Sequence, residues 1–197
     1  VLFRSNIFFH GVKDNTPVDG ETCTTEDIAN LLSEQKIVAV YNGLAEAGQR
    51  ALGNRSILFD ARNKEAKNIV NSVKNREWYR PFAGAVLKED FTEYFDTYGL
   101  TESPFMTLSF PVTTCDIPGV THVDNTCRVQ TVDNSIPHLY NLLTEFKQIT
   151  GCSVLLNTSF NLAGEPLVET INEAIETFNN SKIDVLWFPE LNKMIRK

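Results

Sequence analysis

Short apolar runs alternate with amphipathic segments along most of this chain. Six apolar runs predict strands: KIVAVYNG, GAVLKE, PFMTLSFPV, CRVQTV, SVLLN and IDVLWF. Five segments between them carry apolar residues at helical spacing and predict helices: EDIANLLSEQ, NKEAKNIVNSVKNRE, DFTEYFDTYG, IPHLYNLLTEFKQITG and TINEAIETFNNS. The alternation of strands and helices predicts an α/β domain whose sheet is flanked by helices.

Capping residues mark the ends of several predicted helices. Thr24 or Thr25 can cap the first helix, Thr170 can cap the last, and Gly151 can end the helix before it. The stretch GLAEAGQRALGNRSI carries three glycines and predicts a long loop whose backbone can approach a ligand closely. We interpret residues 1–20 as an irregular lead-in and residues 21–197 as one domain.

The composition is that of a globular protein. With 42% hydrophobic and 22% charged residues, extended disorder is excluded. No apolar run approaches the roughly 20 residues that a membrane-spanning helix needs. The four cysteines form no CxxC pair and the three histidines are scattered, so we expect neither a disulfide framework nor a metal site. In the absence of a targeting signal, we expect a cytoplasmic protein.

Positive charge is concentrated in one part of an acidic chain. The net charge is −7, yet residues 50–80 contain eight basic and three acidic side chains, a local charge of +5. The remaining residues carry 10 basic and 22 acidic side chains, or −12. This distribution is typical of a site for a small polyanion and makes nucleic-acid binding unlikely. A solvated basic helix is the alternative interpretation.

Common phosphate-binding and hydrolase signatures are absent, but three polar segments stand out. There is no GxxxxGK[ST], GxGxxG, HExxH or GxSxG motif. The first polar segment combines RALGNRSIL with KNREWYRPFA, and its candidate side chains are Arg50, Asn54, Arg55, Ser56, Lys74 and Arg80. Arginine forks can bind phosphate in a bidentate manner. We expect Arg62 and Arg76, by contrast, to pair with Asp60 or Glu77.

The other two polar segments follow or form predicted strands. In THVDNTCRVQT, alternation places Arg128 and Gln130 on one face of a strand, and His122 precedes them. In SVLLNTSFN, an apolar strand ends in polar residues: Asn157, Thr158, Ser159 and Asn161. Ligands of open α/β sheets lie beyond the carboxyl ends of strands, where such hydroxyl and amide groups can bind phosphate or ribose. A packed structural histidine and a turn cluster are the alternatives.

Several of these segments together resemble the C-terminal domain of the nodulation-type O-carbamoyltransferases. The resemblance covers about residues 36–188, and its matching blocks, in the family's order, are GQRALGNRSILFDAR, VKNREWYRPFAGAVL, SPFM, VTHVDNTCRVQTV and GCSVLLNTSFNLAGEPLVET. The resemblance implies a YrdC-like fold, like that of threonylcarbamoyl-adenylate synthases: a twisted mixed α/β sheet around a basic nucleotide-binding cavity.

The resemblance also implies an activity. Carbamoyl-adenylate would form from carbamoyl phosphate and ATP, with Mg²⁺ on the triphosphate. An N-terminal kinase-like (ASKHA) domain, not contained in this sequence, would then pass the carbamoyl group to an acceptor. The implied catalytic residues are Arg55, Lys74, His122 and Arg128. Arg50, Asn54, Ser56, Arg80, Gln130, Asn157, Thr158, Ser159 and Asn161 would bind the substrates, and no protein metal site is expected.

Three other interpretations remain open on the sequence alone. The chain could be a nucleotide- or RNA-binding module without activity, although its negative charge outside residues 50–80 disfavours RNA. It could be a threonylcarbamoyl-adenylate synthase, which would use threonine and bicarbonate in place of carbamoyl phosphate. It could also be a folded fragment that binds ATP weakly and does no chemistry alone.

Overall fold

The computed structural model describes residues 9–10, 13–48 and 50–197, and its centre is a mixed sheet. The strands are β1 (Phe9–His10), β2 (Glu21–Thr22), β3 (Val38–Tyr41), β4 (Ala45–Glu46), β5 (Arg55–Asp60), β6 (Ala83–Leu87), β7 (Ser109–Pro111), β8 (Thr126–Val132), β9 (Val154–Ser159), β10 (Val185–Phe188) and β11 (Lys193–Arg196). The helices are α1 (Thr25–Ser33), α2 (Ala66–Val73), α3 (Phe91–Tyr94), α4 (Pro137–Thr150) and α5 (Ile171–Asn179).

The central sheet has the strand order β2-β11-β10-β3-β5-β9-β6-β8-β7, and β1 pairs separately with β4. The pairs β3–β10 and β6–β8 are parallel, whereas the other neighbours are antiparallel. Helices α1 and α4 pack against each other and on the central strands, α2 packs on β5, and α5 packs on β3 and β10. The predicted α/β fold with a mixed sheet and flanking helices is confirmed.

The helix boundaries follow the capping residues. The Thr24 side chain accepts a hydrogen bond from the Asp27 amide at the start of α1, and Thr170 does the same with Glu173 at the start of α5. Gly151 has φ = 76° and ends α4, as predicted. Helix α2 is shorter than predicted because Asn75, just beyond its end, adopts the left-handed backbone conformation.

The sequence analysis was wrong about part of the predicted glycine-rich loop. Residues 55–57 belong to β5, a fully buried strand that lies between β3 and β9 near the middle of the sheet. Only three apolar residues (57–59) stand between Arg55 and Asp60, so the strand has a weak apolar signal. The predicted strand PFMTLSFPV is reduced to β7, and the edge strand β2 and its neighbour β11 were not predicted.

The lead-in segment is partly attached to the domain. Phe9–His10 pairs with Ala45–Glu46, and Asp14 accepts a hydrogen bond from the amide of Ile171 at 2.8 Å. Val18 is buried in the core. The rest of the segment predicted as irregular, residues 1–8 and 11–12, lies outside the described residues.

Packing of α4 makes a specific stability prediction. Leu143 is fully buried, whereas Ile149 on the same helix is 41% exposed. We expect Leu143→Ala to lower the free energy of unfolding by about 2–5 kcal/mol, because it removes buried methyl groups and leaves a cavity. Ile149→Ala should change it by less than about 1 kcal/mol. Urea titration of the two variants tests this, and equal midpoints would contradict the packing described here.

Candidate active site

Strand register brings several of the predicted polar residues onto one face of the sheet. Asn157 and Ser159 are two residues apart on β9, so their side chains point to the same face. Ser159 lies opposite Ser56 of β5, and Asn157 lies opposite Ala83 of β6. Ala83 in turn lies opposite Arg128 of β8. The structure therefore places Ser56, Asn157, Ser159 and Arg128 on one surface, which we call the site face.

A polar cavity of about 470 Å³ lies where α2 ends beside the end of β9. We call it the Lys74 cavity, and its charged and polar lining residues are Lys74, Asn75, Arg76, Glu77, Arg80, Ser159 and Asn161. The Lys74 ammonium donates to the carbonyl and side-chain oxygens of Asn161, both at 2.9 Å, and to the carbonyl of Ser159. Burial and the positive charge of Arg76 lower the pKa of Lys74 to about 7.

Arg76 connects this cavity to a second group of positive charges. Its Nε atom donates to Oδ1 of Asn71 at 2.6 Å, and its guanidinium carbon lies 4.3 Å from the centre of the Phe82 ring. Burial, together with the charges of Arg80 and Arg128, lowers the pKa of Arg76 to about 10. Arg76 therefore lies close enough to both arginines to be repelled by them.

The second cavity has a volume of about 350 Å³ and combines charged with apolar walls. The side chains that line this Arg128 cavity are Glu46, Arg50, Leu52, Phe105, Met106, Thr107 and Arg128. The Nε atom of Arg128 is buried and has no hydrogen-bond partner within the described part of the chain. Burial and the charge of Arg50 lower the pKa of Arg128. Arg50 and Arg128, both candidate site residues, therefore line the same cavity.

Two side-chain amides on the site face hold the glycine-rich loop by hydrogen bonds. Gln130 of β8 donates to the carbonyl of Leu52 at 2.8 Å, and Asn157 donates to Oε1 of Gln130 at 2.8 Å. Both side chains are buried. Asn157 Oδ1 and Ser56 Oγ are also buried and lack a hydrogen-bond partner among the residues described. Gln130 and Asn157 thus hold the loop that carries Arg50.

Arg55 does not join the other arginines. It neighbours Ser56 on β5 and therefore points to the opposite face of the sheet, as Thr158 does on β9. Its guanidinium is almost fully buried, lies over the Tyr41 ring at 3.6 Å, and donates to five backbone carbonyls. All five N–H groups are occupied. The geometry corrects the prediction that Arg55 contacts phosphate and gives it a structural position instead.

Asn54 and His122 are also occupied by contacts within the chain. The Asn54 side chain donates to the carbonyl of Leu44 at 2.9 Å and accepts from Asn42 at 3.1 Å. His122 donates from Nε2 to the carbonyl of Phe82 at 2.8 Å. Neither side chain lines the Lys74 cavity or the Arg128 cavity. Their predicted roles in substrate binding and catalysis receive no support from this geometry.

The ion pairs around the basic segment differ from those expected. Arg62 binds Asp60 at 2.7 Å, as predicted. Glu77 binds Arg80 at 2.8 Å, and both side chains are about half exposed. Arg76 makes no ion pair within the described residues, so the expectation that it pairs with Asp60 or Glu77 is wrong. Arg76 is therefore a candidate site residue that the sequence analysis missed.

Metal-binding side chains do not cluster in the described ranges. No three His, Cys, Asp or Glu residues come together there in a way that could hold a metal ion. Among the same residues, no helix has both the length and the apolar character to cross a membrane.

The fold is that of a YrdC-like domain. HypF in its phosphate- and nucleotide-bound form superposes with a TM-score of 0.63 at 21% identity, covering 87% of this chain and 25% of HypF. Sua5 from P. abyssi, complexed with L-threonine, superposes with a TM-score of 0.59 at 16% identity, covering 83% of this chain and 46% of Sua5.

Sequence comparison identifies the family. Residues 29–196 match the carbamoyltransferase C-terminus family, and the chain belongs to it. Nodulation protein NolNO of Sinorhizobium fredii is 42% identical over 164 residues, which cover 80% of this chain and 24% of that protein. Nodulation protein NolO of Bradyrhizobium diazoefficiens is 41% identical over 166 residues, covering 80% of this chain and 30% of that protein. The chain thus spans between a quarter and a third of these relatives.

The position of Arg55 predicts a loss of stability on its removal. Arg55→Ala removes one donor from each of five carbonyls, of which only those of Asn54 and Glu169 keep another, and we expect the free energy of unfolding to fall by about 3 kcal/mol or more. Arg196→Ala is the control, because Arg196 is half exposed and pairs only with Glu21 at the far edge of the sheet. Chemical denaturation of both variants measures the difference. Wild-type stability in Arg55→Ala would contradict the structural assignment.

The lowered pKa of Lys74 predicts proton uptake when an anion binds. The free ammonium loses its proton near pH 7, and a bound phosphate would raise that pKa again. At pH 8, binding of inorganic phosphate to the wild type should therefore take up more protons than binding to Lys74→Met. Calorimetry in two buffers of different ionisation enthalpy measures the uptake, and subtracting the variant removes the titration of phosphate itself. Equal uptake by the two proteins would show that Lys74 does not titrate with binding.

Proposed function

We propose that this domain forms carbamoyl-adenylate from carbamoyl phosphate and ATP. Water attacks the carbonyl carbon of carbamoyl phosphate, and the bond from that carbon to the bridging oxygen breaks, which releases phosphate and carbamate. A carbamate oxygen then attacks the α-phosphorus of ATP, and the bond to the β-phosphate oxygen breaks to release pyrophosphate. Both substrates are polyanions, and membership of the carbamoyltransferase C-terminus family supports this class of chemistry.

The observation that carries the proposal is the pair of arginine-lined cavities, whose cations Arg76 and Arg128 lie close enough to repel each other. A reaction between two phosphate-bearing substrates needs two anion sites whose contents can meet. The Lys74 cavity and the Arg128 cavity supply positive charge on both sides of Arg76, which is repelled by arginines of each. Positive charge positioned in advance stabilises the charge that develops in the transition state.

Roles for individual residues follow from their positions. Arg76 and Arg128 would contact the triphosphate and the leaving pyrophosphate, because each lines one of the two cavities and their positive charges repel each other. Arg80, whose side chain is about half exposed, would bind the second anion, and Lys74 would join it by exchanging one of its hydrogen bonds to Ser159 and Asn161 for the anion. Mg²⁺ would arrive with ATP and be bound mainly by phosphate oxygens and water, as is usual for this ion.

Transfer of the carbamoyl group to its acceptor is proposed for a different domain. The relatives NolNO and NolO are three to four times longer than the matched segment. Together with the family resemblance, this supports an N-terminal kinase-like domain of the ASKHA type as the partner that receives carbamoyl-adenylate.

Isotope exchange between ATP and pyrophosphate tests the proposal. Exchange should require carbamoyl phosphate, and Arg128→Ala should lower its rate by about 10²–10³-fold, the effect of losing one charge-stabilising donor. Arg196→Ala should exchange like the wild type, because Arg196 lies at the far edge of the sheet.

Two outcomes would contradict this function. Exchange that needs threonine and bicarbonate, and not carbamoyl phosphate, would indicate a threonylcarbamoyl-adenylate synthase. A folded wild type that shows no exchange with either substrate set, yet shifts RNA in a salt-dependent gel assay, would indicate a binding module.

A further inference from the structure

Asn71 is a buried amide on α2 that contacts the segment carrying Arg76 and Arg80. Its side chain is only 1% exposed. The Nδ2 group donates to the carbonyls of Trp78 and Arg80, at 3.2 and 3.0 Å, and Oδ1 accepts from Nε of Arg76 at 2.6 Å. The backbone carbonyl of Asn71 also accepts from the amide of Arg76 at 3.1 Å. These four hydrogen bonds join α2 to the segment that follows it.

The partners of the Asn71 side chain fix which way its amide points. Carbonyl oxygens only accept hydrogen bonds and a guanidinium only donates them, so Nδ2 faces the two carbonyls and Oδ1 faces Arg76. An aspartate has nearly the same shape, but it lacks the two N–H donors and would neutralise Arg76 by forming an ion pair. The neutral amide therefore holds the cation without neutralising it.

The contacts of Arg76 leave one end of its guanidinium open to the cavity. Nε is bound to Asn71, and the guanidinium carbon lies 4.3 Å from the centre of the Phe82 ring. Nη1 and Nη2 make no hydrogen bond or ion pair with any described residue, and neither is among the buried atoms that lack a partner. Arg76 is partly exposed and lines the Lys74 cavity. The two Nη groups are therefore accessible to an anion, which they can bind in a bidentate manner.

We propose that Asn71 is a positioning residue, which orients the Arg76 guanidinium so that its two Nη groups face the anion and leaves the positive charge intact. This inference rests on the proposed function, in which Arg76 contacts the triphosphate. A side chain that is oriented before binding loses less conformational entropy when the ligand arrives. Asn71 touches no substrate and acts on anion binding only through Arg76.

A double-mutant cycle between Asn71 and Arg76 tests the inference, with the Kd for ATP as the measured quantity. We expect Asn71→Ala and Arg76→Met each to weaken ATP binding about tenfold, the effect of losing a hydrogen bond to a charged group. When residue 76 is already Met, Asn71→Ala should weaken binding by less than about twofold further, because the two residues act as a unit. A loss of the same factor in both backgrounds would overturn the inference.

The free energy of unfolding separates this role from a merely structural one. Asn71→Ala removes a donor from the carbonyls of Trp78 and Arg80 whether or not Arg76 is present. Urea titration of the four proteins of the cycle should therefore show a loss of stability in both backgrounds. A merely structural residue would weaken ATP binding in both backgrounds as well, whereas a positioning residue does so only in the presence of Arg76.

Asn71→Asp tests whether the partner of Arg76 must be neutral. The new carboxylate would pair with the guanidinium, so ATP should bind about tenfold more weakly or worse. Asn68→Asp is the matched control, because Asn68 is exposed on the same helix and its side chain bonds only to Glu65. Salt screens a charge at that position, and the control should bind ATP within about twofold of the wild type. Equal affinities of the two variants would overturn the requirement for a neutral partner.

A measurement on the wild type keeps the inference testable if the Asn71 variants do not fold. The Nε–H signal of Arg76 in a nitrogen–proton NMR spectrum is identified by its loss in Arg76→Met. It should exchange with solvent more slowly than the signal of the exposed Arg50, both with and without ATP, because Asn71 binds it in both states. Equally fast exchange of the two signals would overturn the inference.

Failure of the inference and failure of the proposed function give different results. A wild type that does not bind ATP would overturn the proposed function itself. Wild-type ATP affinity in Arg76→Met would remove Arg76 from that function and this inference with it. A weakened Arg76→Met combined with equal factors for Asn71→Ala in both backgrounds would overturn the role of Asn71 alone.

Discussion

The structure depends on a cluster of arginines whose positive charges are mostly not neutralised by carboxylates among the described residues. Arg76 is repelled by Arg80 and Arg128, and Arg128 is repelled by Arg50. Of these four, only Arg80 has a carboxylate partner within the described residues. Bringing like charges together and removing them from water both disfavour the charged forms, which explains the lowered pKa values of Arg76 and Arg128. An anionic ligand relieves this repulsion, so the fold is prepared for one.

The rest of the architecture serves to hold these cations in place. Gln130 and Asn157 fasten the glycine-rich loop from the site face of the sheet, and Glu46 binds three of its amides. From the opposite face, Arg55 donates hydrogen bonds to the carbonyls of residues 42–43, 54 and 168–169. Because hydrogen bonds hold the loop from both faces of the sheet, the loop loses little conformational entropy when Arg50 binds a ligand.

The sequence predicts those elements whose signals are local. The buried stripe of α4 and the threonine caps of α1 and α5 can be identified from residue spacing alone, and each is present. Strand β5 escapes prediction because its polar ends obscure a short apolar centre. The presence of Arg128 and Gln130 on one face also follows from simple alternation, and the strand register agrees with it.

The candidate site is only partly readable from the sequence because the environment of a side chain depends on distant segments. The carbonyls that occupy Arg55 lie up to 114 positions away along the chain, so no local pattern indicates that its donors are all used. Arg76 is the converse case, since a nearby Glu77 suggests an ion pair that Arg80 forms instead. Lys74 and Arg76 are two residues apart, as are Ser159 and Asn161, and all four line one cavity. This shared spacing is the sequence signal that could have identified Arg76.

The central claim is tested most directly by the stability of Arg76→Met with and without ATP. Without ligand, the variant should be at least as stable as the wild type, because it removes a partly buried cation from a repulsive cluster. At an ATP concentration of a hundred times Kd, binding should raise the free energy of unfolding of the wild type by about 2.7 kcal/mol. The same ATP concentration should raise that of the variant by much less. A variant that is less stable without ligand, yet gains as much from ATP, would contradict the account.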